Sequence, residues 1–209
     1  MNPRVLSTLL LLSLFLAAPA ALAAEASEDL PVQSEGFSFS ARIGGALPLG
    51  TAFGVNPAGG GPVKMSDAVN GMIPFQLDGG VFLGSVVYLG GYFMYGRLLV
   101  KHDCSPGFAC GATDLRFGLN MSLHLPVSVG GKWSPWVAGG LGYEIFKPGD
   151  LVLKGLDFNV QLGADYHVSG PVWAGPFAMF TRGKFAKPNG SAETSHSWLM
   201  GGLKLMMRH

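Results

Sequence analysis

Residues 156–168, "LDFNVQLGADYHV", alternate strictly between apolar and polar side chains. A β-strand turns successive side chains to opposite faces, whereas a helix returns to the same face after three or four residues. The segment is therefore a strand that separates two unlike surroundings. "TDLRFGLNMSLHL", residues 113–125, repeats the pattern, with Leu115, Phe117, Leu119, Met121, Leu123 and Leu125 opposite Asp114, Arg116, Gly118, Asn120, Ser122 and His124. Similar period-two stretches lie in "GFSFSARIGGAL", "MIPFQLDGGVFL", "VVYLGGYFMYGRLLV", "PWVAGGLGYEIF", "VWAGPFAMFTRGKF" and "SHSWLMGGLKLMMRH". Turn chemistry separates them. The chain is expected to be all-β, with eight strands between residues 36 and 209 and an even count that suits antiparallel closure.

Either a soluble sandwich or a membrane barrel could alternate in this way. In a sandwich the apolar face is the inside and the polar face meets water. Here the apolar faces are nearly uninterrupted, and charged residues make up 13% of the chain against about 25% in ordinary soluble domains. The opposite faces draw on 32 glycines, the residue that a narrow barrel interior accommodates. They also carry balanced charge: Asp78, Asp114, Glu144, Asp157 and Asp165 against Arg42, Arg97, Arg116, Arg182, Lys204 and Arg208, with Lys184 at the rim. A confined interior requires such pairing, because an unpaired buried charge is costly. The expectation is a closed transmembrane β-barrel with its apolar faces toward lipid and these charges in an internal network. Aromatic girdles follow, with Phe37, Tyr166 and Trp173 at the rim that holds the termini and Phe75 and Phe158 near the other. The long connections, 48–71, 101–112, 147–154 and 184–195, become extracellular loops, and the short ones near 83–85, 126–133 and 169–171 become periplasmic turns.

The amino terminus adds a compartment. Arg4, an apolar run and Ala21-Leu22-Ala23 form a secretory signal peptide over residues 1–23, followed by a polar, acidic lead-in over 24–35. An exported chain favours a disulfide between the two cysteines, Cys104 and Cys110, in "CSPGFAC"; a metal site using His102 and Asp103 is the alternative. Of 14 basic and 13 acidic residues, the signal peptide removes one basic residue, Arg4, so the mature chain is formally neutral. That argues against nucleic acid as a partner.

In this architecture the chain resembles the small eight-stranded outer-membrane barrels of Gram-negative bacteria, the OmpA/OmpX-like class, over residues 36–209. Gly202, Leu205 and Met207 match the glycine and spaced hydrophobics of the assembly signal in the last strand of such barrels, while Met200 and His209 stand where a polar residue and Phe are usual. The resemblance implies an outer-membrane location, outer-membrane lipid as surroundings and no cofactor. It also implies a structural or surface-interaction role exerted through the extracellular loops.

The search for catalytic chemistry turns up little. Ser195-His196-Ser197-Trp198 resembles the His–Ser pairing of outer-membrane lipid A deacylases, but the H-x-S spacing fails at Trp198. His124 and His167 fall on the inward face with Asp114, Asp157 and Asp165, without an H-x-H or HExxH spacing for a metal. "NPAGGGPVKMS" lacks the order of a phosphate loop. The reading is a non-enzyme. The alternatives carried forward are a lipid-modifying enzyme using His196, a narrow channel, and a soluble periplasmic barrel that binds a ligand.

Overall fold

A computed structural model describes residues 36–53, 63–100, 112–125, 132–148, 152–185 and 194–209. The signal peptide, the lead-in and both cysteines, Cys104 and Cys110, lie outside the described residues. Eight long strands follow the alternating segments: β1 (Gly36–Phe53), β3 (Val69–Leu83), β4 (Val87–Val100), β5 (Ala112–His124), β6 (Trp133–Pro148), β7 (Leu153–Ser169), β8 (Val172–Phe185) and β9 (Thr194–Arg208). A two-residue strand, β2 (Val63–Lys64), pairs onto the end of β1, and a one-turn helix, α1 (Met65–Ala68), leads into β3.

Each strand is antiparallel to its neighbours, and β9 pairs back onto β1, so the sheet closes into a barrel. The stagger of closure can be traced through paired residues. Ser40 faces Asp78, then Tyr92, Gly118, Gly142, Asp157, Gly183 and His196 in turn, and His196 faces Gly50 back on β1. The circuit returns ten residues beyond its start, which for eight strands tilts them by about 40° to the barrel axis. Strands of 13 to 18 residues exceed the 9–11 or so that a tilted strand needs to cross a bilayer. Both described ends, Gly36 and His209, lie at one rim with the turns at 84–86 and 170–171; the strand ends that lead into the long connections lie at the other. Two of the short turns hold Gly84 at φ 67° and Gly170 at φ 50°, left-handed conformations that glycine adopts without strain.

Exposure decides which medium the barrel suits. Leu119, Leu141 and Leu156 are each more than 70% exposed, whereas Asp114 and Glu144 are fully buried. Water-soluble proteins show the reverse. The outward faces of all eight strands form an apolar belt, and closure leaves no unpaired sheet edge within it, as a lipid-facing β-structure requires. The protein is a transmembrane β-barrel turned inside out relative to a soluble one. Phe37, Phe75 and Phe158 lie on its outward face, as the alternation predicts.

Three expectations change. Arg97 and Arg182 point outward, not into the interior. Trp173, expected among the rim aromatics, is buried inside with Phe177 and Met179. The cause lies in β4 and β8, which are apolar on both faces, so hydrophobicity does not set their parity. In β8 the interior requires Gly183, because Glu144 and His196 occupy the space that a side chain there would take. That choice sends Trp173, Phe177 and Met179 inward and Arg182 and Lys184 outward. In β4 the interior at the level of Arg97 is filled by Met72 against Gly96 and by Leu98. Both arginines sit toward the long-loop rim, where a long stem can cross apolar surface and leave the charge at the interface.

The third change concerns the interior itself. It is not uniformly polar: Met72, Met94, Leu98, Phe146, Leu153, Phe185, Trp198 and Met200 form a buried apolar cluster toward the long-loop end, completed by Met65 of α1. A smaller one, Phe82, Tyr88, Trp173 and Met206, lies toward the rim of the termini.

Candidate functional site

Asp114 and Arg116, two residues apart on β5, share the inward face, and the register sets Glu144 of β6 directly opposite Arg116. The Arg116 guanidinium contacts Asp114 Oδ2 at 2.7 Å through Nη2 and 3.1 Å through Nε. It also reaches Glu144 Oε1 at 2.8 Å and Asp157 Oδ2 of β7 at 3.7 Å. Its Nη1 donates to the Thr181 hydroxyl of β8 at 2.6 Å. One side chain thus reaches across the lumen from β5 to β8. On β9, His196 Nε2 donates to Glu144 Oε2 at 2.7 Å, and its ring stacks on Phe185 with centroids 4.2 Å apart. Tyr92 donates to Asp157 at 3.5 Å. Every polar member of this cluster except Tyr92 is at most 3% exposed.

A second network lies closer to the rim of the termini. Arg42 grips Asp78 with a fork, Nε to Oδ2 at 2.8 Å and Nη2 to Oδ1 at 3.2 Å, the two-bond geometry that favours arginine at carboxylates. Ser40 and Gln76 donate to the same carboxylate at 3.0 and 2.7 Å. Arg42 also donates to Gln161, which donates in turn to Asn159 at 2.6 Å. Lys204 pairs with Asp165 at 2.7 Å and lies over the Trp136 ring, 4.3 Å from its centroid. Arg208 stacks over Phe82 at 3.4 Å and donates to the Gly84 carbonyl.

Nine of the eleven charged residues expected in the interior are therefore found there: Arg42, Asp78, Asp114, Arg116, Glu144, Asp157, Asp165, Lys204 and Arg208. With Arg97 and Arg182 outside, five carboxylates face four cations. Neutral groups share the load: Gln76, Asn120, Asn159 and Gln161 were legible by parity, since they occupy the same strand faces as the charges, whereas Thr181 was not, because it lies on the face of β8 opposite Arg182. Tyr92 gave no such signal, because β4 is apolar on both sides. The Glu144–His196 pair was missed as a pair, since β6 and β9 are three strands apart and the two side chains meet only across the closed lumen.

Strand geometry also bears on catalysis. Ser195 and Ser197 flank His196 in sequence, so alternation places them on the opposite face of β9, beside Lys184 and Arg182. They are not available to a base inside the barrel. Thr181, the hydroxyl that does face the cluster, already accepts from Arg116. His124 lies between Phe82 and Trp136 with the Ser134 hydroxyl 3.5 Å away, and His167 contacts the Gly170 carbonyl at 2.9 Å, so neither forms the carboxylate–His pair considered from sequence. Among the described residues no group of three His, Cys, Asp or Glu side chains is placed to hold a metal ion.

The packing is tight enough to test. A Cβ on Gly142 would collide with the Tyr92 hydroxyl and with Asp157 Oδ1. Gly142→Leu is expected to lower stability by about 1–3 kcal/mol, as overpacked cores do. Urea unfolding of the detergent-solubilised barrel checks this, with Gly139→Leu, whose position is outward and open, as the comparison. An equal response at both positions would show that the interior has slack.

No protein-family model matches the chain, and no curated protein matches it by sequence. Solved structures do match by shape. Neisserial surface protein A aligns at a TM-score of 0.53 with 14% identity, over 84% of this chain and 99% of its own. The outer membrane protein OprG from Pseudomonas aeruginosa aligns at 0.48 with 13% identity, over 84% and 98%. The outer membrane enzyme PagL aligns at 0.44 with 12% identity, over 82% and 99%. The first of these shows a shared fold, the small closed antiparallel barrel of eight strands.

Proposed function

We propose that this chain is an integral outer-membrane barrel with an interior sealed by side chains, and that it serves the envelope as a structural or surface-interaction protein rather than as a pore or an enzyme. The observation that carries the reading is the Arg116 bridge. It joins β5 to β8 through Asp114, Glu144, Asp157 and Thr181, and the aromatic rings of Phe146 and Phe185 lie against His196 beside it. An internal cavity between Ser38, Tyr88, His124 and Lys204 holds about 20 Å³, room for roughly one water. Among the described residues the interior at these levels is filled by side chains, which supports a sealed lumen.

The location is supported by the apolar belt and by the shared fold with a surface protein of Neisseria. With the termini on the periplasmic side, the long connections face outward and become the contact surface. A non-catalytic role is supported by the buried His196, turned away from both neighbouring serines.

Planar-bilayer recording of the purified mature chain tests the reading. Silence is the expected result, with the protein shown to be inserted by its heat-modifiable gel mobility. Steady unitary currents from that inserted form would overturn the sealed interior.

A further inference from the structure

The small interior cavity has a wall with more donors than its neighbours use. Arg42 and Lys204 line it, together with Ser38, Tyr88 and Ser122, and its described wall holds no carboxylate. The acids that answer the two cations stand outside that wall: Asp78 is held by Arg42, Ser40 and Gln76, and Asp165 by Lys204. Ser38, Tyr88 and Ser122 are each at most 7% exposed, yet no hydrogen bond joins their hydroxyls to another described residue. Buried hydroxyls ordinarily have a partner. These three come from β1, β4 and β5 and border one space. The Tyr88 hydroxyl lies over Gly90, where any side chain would collide with it, so a missing Cβ makes its seat. Lys204 gives one bond to Asp165, and an ammonium carries three donors.

We infer that this cavity binds a monatomic anion, chloride being the ion in view, between the hydroxyls of Ser38, Tyr88 and Ser122, with Lys204 and Arg42 supplying the positive field. Size sets the upper bound. The cavity holds about 20 Å³, somewhat more than the 10–15 Å³ or so that one water needs and too little for a phosphate or sulfate. Charge decides between the two occupants that fit. Each hydroxyl can turn its hydrogen to suit an acceptor, so all three can donate to an anion at once. A water would have to place two hydrogens of its own on the same hydroxyls, and it would bring no charge to a wall lined by two cations. The site goes beyond the structural role proposed above and does not depend on it. An anion there would tie β1, β4, β5 and β9 together through the lumen.

Urea unfolding of the full mature barrel in lipid vesicles tests the site, with chloride titrated against gluconate at constant ionic strength. The expected result is a saturable rise in the unfolding midpoint. Half-saturation should move at least tenfold higher in the Ser38→Ala/Ser122→Ala variant, which removes two donors and leaves every ion pair in place. Tyr88→Phe deletes a single oxygen and is expected to move it in the same direction, which keeps the comparison if the double variant does not insert. Crystals grown in bromide give a direct view, with an anomalous peak expected between Ser38, Tyr88, Ser122 and Lys204. A midpoint indifferent to chloride, a half-saturation unchanged in the variants, or an ordered water in place of bromide would overturn the site.

Discussion

Replacing Arg116 with methionine is expected to destabilise the barrel by about 3–5 kcal/mol, the range seen when one partner of a buried charge pair is removed. The substitution keeps the volume of the stem but takes away the cation that, among the described residues, pairs with Asp114, Glu144 and Asp157, three buried carboxylates. Neutralising the carboxylates should repair the damage: Asp114→Asn, Glu144→Gln and Asp157→Asn, added to Arg116→Met, are expected to recover most of the loss. Urea unfolding in lipid vesicles, followed by the shift in gel mobility, reads both variants. An Arg116→Met barrel within about 1 kcal/mol of its parent would place the network on a par with an exposed ion pair and count against its structural role.

An arginine in the middle of the outward belt should cost nearly as much. Leu119 is 72% exposed and lies halfway along β5, so Leu119→Arg sets a charge in the hydrocarbon at an expected penalty of about 2–4 kcal/mol. Thr113, on the same face of the same strand but at the long-loop rim, provides the contrast: Thr113→Arg is expected to cost about 0–1 kcal/mol. Unfolding from vesicles measures the difference. If both positions accept arginine equally, the belt does not face lipid and the inside-out assignment fails.

The architecture was legible because β5 and β7 have one apolar and one polar face with few exceptions. Their parity could be read residue by residue, and Asp114, Arg116, Asp157 and Asp165 were assigned inward on that ground alone. In β4 and β8 both faces are greasy, and the charges at their ends misled: Arg97 and Arg182 look like interior residues until the long side chain is allowed to reach an interface. Glycine held the better clue. Gly183 lies on the face of β8 that needs room for the side chains of Glu144 and His196, and that face also carries Trp173.

The pairing within the interior could be read only in part. Asp114 and Arg116 meet because they are neighbours on one strand face, a purely local fact. Lys204 with Asp165, two strands apart, and Arg116 with Thr181, three strands apart, meet only because closure is staggered by ten residues. No local pattern encodes that offset. The separation of His196 from its adjacent serines is, by contrast, local: alternation along β9 sends them to opposite faces once the segment is read as a strand.

The junction of β1 with β9, running from Ser38 opposite Arg208 to Gly50 opposite His196, brings together the first and last strands of the described chain. The other seven long-strand pairings join successive strands and can zip up locally as hairpins, whereas this one must wait until the whole ribbon has curled. Before it forms, two rows of amide and carbonyl groups stand bare, and oil cannot satisfy them. Entry into the bilayer and the fastening of this last joint therefore belong to one step. A chain short of its final strand is left with a wet margin that no membrane will accept.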